Sequence, residues 1–174
     1  MLNNKKRGFT LLELLISVFI LTVGILGEYV AIQKSATIAG YSYHRLMAAY
    51  LAQEGIEIIR NIKDTNLLEG LADPSTPWDD GFVSKNYEVQ YSDAQSATPN
   101  LWECSTLCGF TDMRFLTKGN YFYDYDSLAE TKFKRKITVN NMETDILKVS
   151  ATVYWQDGTK VREFTVWDKF YNWW

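Results

Sequence analysis

The sequence is poor in the residues that most enzymes use for catalysis. It has one histidine, His44, and two cysteines in 174 residues. It contains no phosphate-binding loop, no G-x-S-x-G motif and no spacing of metal ligands. His44 falls inside a helical pattern, where a surface position on the helix explains it. The sequence therefore predicts a protein that is not an enzyme, and it gives no reason to expect a cofactor or a catalytic metal.

Basic residues are also in the minority. The chain has 18 Lys and Arg against 21 Asp and Glu, a net charge of −3. Nonspecific binding to nucleic acid needs a positively charged surface that displaces counterions from the phosphates. No basic patch is visible in the sequence, so we expect no direct binding to nucleic acid.

The chain has one long apolar run, which lies near its N-terminus. Residues 9–27 read FTLLELLISVFILTVGILG and carry a single formal charge, Glu13. At about 1.5 Å per residue, a helix of this length spans a hydrocarbon layer of about 30 Å. The run follows Gly8 and a basic cluster that indicates an N-terminus in the cytoplasm and a single-pass topology. That cluster consists of Lys5, Lys6 and Arg7.

Glu13 is unusual because it lies only five residues into the apolar run. An acid in a spanning helix costs roughly 2.5–3.5 kcal/mol on insertion scales, and such residues usually have a function and a partner. One interpretation is an ordinary membrane anchor whose Glu13 stays hydrated near the interface. A conventional secretory signal, cut near residues 37–39, is a further alternative, but its apolar region would be overlong and would hold an acid.

The segment KRGFTLLE, residues 6–13, resembles the class III signal of type IV prepilins and type II secretion pseudopilins. The resemblance implies cleavage between Gly8 and Phe9 by a prepilin peptidase, followed by N-methylation of the Phe9 amine. It also implies assembly with other pilin or pseudopilin subunits. In such a filament, Glu13 of one subunit would neutralise the Phe9 amine of its neighbour, because each charge alone is costly in lipid.

The helical pattern continues beyond the membrane, since no proline occurs from Glu28 to Lys63. We predict one helix from Phe9 to Asp64, followed by a loop. An apolar stripe at helical spacing indicates that its second half packs on a soluble domain. That stripe consists of Met47, Leu51, Gly55, Ile58 and Ile62. The predicted division is a leader at 1–8, a transmembrane and assembly half-helix at 9–35, and an extracytoplasmic head at 36–174.

The last third of the chain shows strand patterns. Alternation from 133 to 139 predicts one strand, and residues 146–156 and 159–167 predict a hairpin around Asp157-Gly158. A turn formed by those two residues would pair Gln156 with Thr159 and, further along, Val149 with Val166. We also expect a strand at 87–91 and one or two short strands within 114–125. The fold class is α+β, with the second half of the long helix packed on a C-terminal antiparallel sheet, as in pilins.

The C-terminal region resembles minor pilins and minor pseudopilins, from residues 146–158 to the Asn172-Trp173 tail. The resemblance implies a minor subunit in the priming or tip complex of a type IV pilus or a type II secretion pseudopilus. Major pilins differ in having a disulfide near the C-terminus. A competence pseudopilin that aids DNA uptake, and a membrane-anchored extracellular binding module, are the alternatives. Localisation would be the cytoplasmic membrane first and the filament afterwards.

Three smaller features have open interpretations. Cys104 and Cys108 form a disulfide, stay free or bind a metal, and an extracytoplasmic location favours the disulfide. The acids of a turn-rich loop either bind calcium or are simply solvated. The aromatic segments 121–126 and 170–174 either contact a partner or cover the core. The loop acids are Asp73, Asp79 and Asp80.

Overall fold

The computed structural model describes residues 8–95, 101–104, 108–119, 122–127, 129–143 and 145–172. The basic cluster 5–7 and the last two tryptophans therefore lie outside the described residues. Contacts divide the chain into two compact units, residues 1–42 and 43–174. One helix, α1 (Leu11–Ala72), begins in the first unit and ends in the second.

The second unit has an antiparallel sheet in the order β2-β1-β5-β6-β7. A separate two-stranded sheet pairs β3 with β4, and a short 3₁₀ helix covers Tyr91–Gln95. The strands are β1 (Asn86–Glu88), β2 (Trp102–Glu103), β3 (Thr117–Lys118), β4 (Tyr123–Asp124), β5 (Phe133–Glu143), β6 (Ile146–Asp157) and β7 (Lys160–Tyr171).

The part of α1 that lies in the second unit packs on this sheet, which confirms the predicted α+β, pilin-like fold. Four of the five residues of the predicted stripe are buried, and Met47 is half-buried. At Gly55 the helix and β5 come so close that a Cβ would lie 2.7 Å from Ile137 Cδ1. The remaining core comes from the alternating inward side chains of β5 and β6, among them Ile137, Val139, Val149, Ala151, Val153 and Trp155.

Arg135 is a fully buried cation at this helix–sheet interface. Its guanidinium donates to the carbonyl of Leu51 on α1 (2.9 Å) and to that of Val89 (2.8 Å). Its Nη1 also lies 3.3 Å from Glu54 Oε1. A buried charge needs such partners because desolvation otherwise outweighs its attraction. Arg135 therefore joins α1, β5 and the segment after β1.

The predicted end of the helix at Asp64 is wrong, since α1 continues to Ala72. Asn66 is buried there and donates to the carbonyl of Asp80 at 2.9 Å, which fixes the following loop against the extra turns. The helix ends before Asp73 because a residue that precedes proline, here Pro74, disfavours the helical conformation.

The predicted strand at 87–91 is also too long. β1 ends at Glu88, and Tyr91 already belongs to the 3₁₀ helix. The carboxylate of Asp93 accepts a hydrogen bond from Gln90 N (2.9 Å), which turns the chain out of the sheet. Glu88, on the face that the alternation makes polar, is buried and accepts hydrogen bonds from Arg114 N (2.6 Å) and Nε (2.8 Å).

The hairpin of β6 and β7 exists, but its register is two residues away from the predicted one. Asp157 pairs with Lys160, and Val149 pairs with Asp168 rather than with Val166. The turn residues are Gly158 and Thr159, and Gly158 has φ of +61°. A glycine with positive φ at the first turn position is typical of a type II′ turn. A slip of two residues leaves every side chain on its predicted face.

Candidate functional site

The candidate site is the start of α1, where the resemblance places processing and subunit contact. Gly8 and Phe9 precede the helix and are exposed, Phe9 by 71%. Around Gly8 a Cβ would meet no atom within 4 Å. The backbone on both sides of the Gly8–Phe9 bond is thus open to an approaching enzyme.

Thr10 is the N-cap of the helix. Its Oγ1 accepts a hydrogen bond from Glu13 N (3.3 Å), and its carbonyl accepts one from Leu14 N (3.1 Å). The first N–H groups of a helix have no intrahelical partner, so a threonine at this position satisfies one of them. Thr10 to Glu13 has the T-x-x-E spacing of a capping box. The sequence therefore already contained a signal for Thr10 as the N-cap. The family resemblance alone did not indicate this role.

Glu13 lies in the first turn of α1. The N-terminal end of a helix carries a partial positive charge, so a carboxylate is favoured there. A cationic amine at Phe9 would lie at this same end, where the helix dipole opposes it. A second carboxylate from another chain would offset that unfavourable charge. The structure thus places Phe9 and Glu13 together at the N-terminal end of α1.

The helix beyond Glu13 presents apolar side chains to its surroundings on all sides. Most large hydrophobic residues from Leu11 to Ile38 are more than half exposed. The helix is long and apolar enough to cross a membrane, and none of its most apolar window is buried.

Hydroxyl groups of this segment, those of Ser17 and Thr22 among them, bond to its own backbone. Ser17 Oγ donates to the carbonyl of Glu13 and Thr22 Oγ1 to that of Val18, both at 2.7 Å. This is the arrangement that an apolar surrounding requires, because no water is present there to replace the missing partners.

The structure places the two cysteines in a local disulfide in the second unit. Cys104 follows β2, and Cys108 is fully buried, with a Cα–Cα distance of 5.5 Å between them. Neither lies near the start of α1 in the sequence. The described residues include no group of three or more His, Cys, Asp or Glu side chains arranged to hold a metal. Asp73 instead accepts hydrogen bonds from Ser75 N (3.0 Å) and Oγ (2.8 Å).

The two aromatic segments lie partly in the core and partly at the surface. Phe170 is buried, with the cations of Arg60 and Lys63 within 6 Å of its ring. Phe122 stays 46% exposed and stacks on Tyr91 with ring centroids 3.8 Å apart. The tail thus covers the sheet with Phe170, whereas Phe122 remains available at the surface.

His44 lies on α1 and is half-buried against β5. Its ring makes edge contacts with Tyr43 and Phe133, and its Nε2 contacts Lys132 Nζ. Burial lowers the pKa of His44 below 6.5, and the Lys132 ammonium lowers it further, against a smaller opposing effect of Asp157.

Comparison with known families identifies the N-terminal segment. Residues 3–27 match the prokaryotic N-terminal methylation motif. No curated protein and no solved structure matches the chain. The match covers the basic cluster, Gly8, Phe9 and the apolar start of α1. The chain therefore carries the class III methylation motif typical of type IV pilins and pseudopilins, which are structural subunits, anchored in the membrane, processed by a prepilin peptidase and assembled with other pilin subunits.

Proposed function

We propose that this protein is a minor pilin or minor pseudopilin that helps to prime a filament or forms part of its tip. In this proposal a prepilin peptidase cuts between Gly8 and Phe9, and the new Phe9 amine is methylated. Removal of the leader leaves 15 Lys and Arg against 21 acids, a net charge of −6. The subunit then enters the filament by bundling of its apolar helix, with the head outside the membrane.

The observation that supports this proposal best is the position of Glu13. It is the single charge of the apolar run, it lies in the first turn of a capped helix, and it follows the Gly8–Phe9 bond by five residues. The local disulfide supports the minor role, because Cys104 and Cys108 lie in the middle of the head and not near the C-terminus. Membership of a competence filament is a second candidate, with any contact to DNA made by a partner subunit.

Processing is tested by mass spectrometry of the protein isolated from cells with an active prepilin peptidase. We expect a chain that begins at methylated Phe9, and an uncut chain in cells that lack the peptidase. A mature chain that begins near Gly40, or one that keeps Met1, would show instead a secretory protein or an anchored binding module.

Assembly is tested with Glu13→Ala. Insertion and cleavage should persist, whereas incorporation into sheared filaments should fall below about one tenth of wild type, because an unpaired amine in lipid costs several kcal/mol. Ser17→Ala is the matched control one turn further on, since its hydroxyl bonds only to its own helix. Wild-type incorporation of Glu13→Ala would contradict the proposed pairing.

A further inference from the structure

The helix between Glu13 and His44 carries only two formal charges, Glu28 and Lys34. Ion pairs along a helix form between residues three or four apart, and these two are six apart. No oppositely charged residue lies at the pairing distances of either one. Those positions are Gly24, Ile25, Ala31 and Ile32 around Glu28, and Val30, Ala31, Thr37 and Ile38 around Lys34.

The structure agrees with the absence of ion-pair partners in the sequence around Glu28 and Lys34. Among the described residues, neither Glu28 nor Lys34 takes part in any ion pair. Both are exposed, as is the rest of α1 from Leu11 to Gly40 apart from half-buried Ser17. These two opposite charges thus lie on an exposed apolar helix and have no ion-pair partner in the part of their own chain that the structure describes.

A stagger between two parallel helices brings these charges together. If the Phe9 amine of one copy lies level with Glu13 of the next, the two helices are offset by four residues, about 6 Å. Glu28 of the first copy is then level with Ile32 of the second. Lys34 of the second copy lies two residues, about 3 Å, beyond that level. Its four-carbon side chain tilts towards the helix N-terminus and spans the difference.

The two charges also lie on opposite flanks of the helix. At about 100° per residue, Glu28 lies about 60° to one side of Glu13 and Lys34 about 60° to the other. One copy can therefore present its Glu28 flank to the Lys34 flank of the next copy. Such a contact joins two different surfaces and, when repeated, builds an open helical array rather than a closed dimer.

We propose that Glu28 of one copy of this chain binds Lys34 of a second, neighbouring copy, in the stagger set by Phe9 and Glu13. This inference rests on the proposed filament function. The partner is a second copy of this chain because the charge and the position of its Lys34 complement the flank that carries Glu28. The priming or tip complex would then contain at least two neighbouring copies of this subunit.

The test uses charge reversal in cells that assemble the filament, with the subunit measured in the sheared fraction. Glu28→Lys and Lys34→Glu each place like charges opposite one another across the contact, so each variant should incorporate at below about one tenth of wild type. The double reversal restores opposite charges and should return to within about twofold of wild type. Glu69→Lys reverses an exposed acid of the same helix within the head and should have no effect.

Co-expression identifies the partner. A Glu28→Lys copy and a separately tagged Lys34→Glu copy repel their own kind but attract each other at both contacts. Together they should incorporate as well as wild type, although each fails alone. If the mixture does no better than either variant alone, the partner is a different subunit and the proposal is overturned.

The outcomes separate this inference from the function on which it depends. If the wild type and both single reversals incorporate equally well, the Glu28–Lys34 pair is overturned but the filament function is not. Absence of wild-type protein from filaments, in cells whose peptidase cleaves it, overturns the filament function. Failure of the double reversal, with both single variants defective, also contradicts the pair.

Discussion

At the residue scale, the head depends on Arg135, a cation with no solvent exposure. The guanidinium satisfies two backbone carbonyls and faces Glu54. Loss of one partner of a buried ion pair leaves the other charge and its acceptors without compensation, and such changes cost about 3–5 kcal/mol. Truncation of Arg135 should therefore cost more stability than truncation of an exposed charge of the head.

We expect Arg135→Ala to lower the free energy of unfolding by about 3–5 kcal/mol. Arg135→Met combined with Glu54→Gln should lose clearly less, because it keeps the volume and removes the isolated acid. Chemical denaturation followed by tryptophan fluorescence measures both. Arg162→Met, on an exposed position of β7, is the control. Equal losses in the alanine variant and in the control would contradict the assignment.

His44 gives a prediction for pH. Its pKa in the folded state is lowered, so its contribution to stability is complete above pH 6.5 and is lost as the pH falls through the lowered value. Because it is the single histidine of the chain, an NMR titration reads it without ambiguity. Lys132→Met should move the pKa back towards 6.5. A titration midpoint at or above 6.5 in the wild-type protein would contradict this account.

At the element scale, the hairpin shows which part of the fold the sequence predicts. Alternation predicted the faces of β6 and β7 correctly, because the side-chain period of a strand is two. It did not predict the register, because Asp157-Gly158 and Gly158-Thr159 are both plausible turns and differ by a slip that preserves the faces. The observed register places Thr152 opposite Thr165, with their hydroxyl oxygens 3.0 Å apart.

Gly158 supplies the test of this turn. Its φ of +61° is costly for a residue with a Cβ, and no neighbouring atom lies within 4 Å of that Cβ. Gly158→Ala should therefore destabilise the head by about 1–2 kcal/mol through the backbone alone. Gly158→Asn should lose less, because asparagine is one of the residues that the positive-φ positions of such hairpin turns accept. Thr159→Ala is the matched control, and thermal unfolding is the measurement. Equal effects of Ala and Asn at 158 would contradict the backbone explanation.

The two ends of α1 also differ in how far the sequence predicts them. The start was predictable, since the apolar run and the acid at Glu13 are local features of the sequence. The C-terminal end was predicted eight residues too early, because the turns up to Ala72 are held by Asn66 and the loop that follows it. The burial of Glu88 against Arg114 could not be predicted for the same reason. The two residues are 26 positions apart in the sequence, and the alternation of polar and apolar residues along a strand says nothing about such a pair.

At the scale of the whole molecule, the two units differ in where their apolar side chains lie. The first unit is apolar and exposed along α1, whereas the second has its own core. The fold class and the N-terminal methylation motif could be predicted from the sequence because each rests on continuous segments. The contacts of the unit that ends at Ser42 are of another kind. In the proposed filament they are made with neighbouring chains, which the structure of a single chain does not contain.

Topology is the prediction that belongs to this scale. The basic cluster Lys5-Lys6-Arg7 should keep the N-terminus in the cytoplasm and place the head outside. We expect a membrane-impermeant maleimide to label Lys160→Cys, an exposed residue at the β6–β7 turn, on intact spheroplasts that lack the peptidase. Asn3→Cys, in the retained leader, should be labelled only after the membrane is permeabilised. Cys104 and Cys108 are joined and do not compete for the label. Labelling of Asn3→Cys and protection of Lys160→Cys would reverse the orientation, and the Gly8–Phe9 bond would then lie on the wrong side of the membrane for the proposed processing.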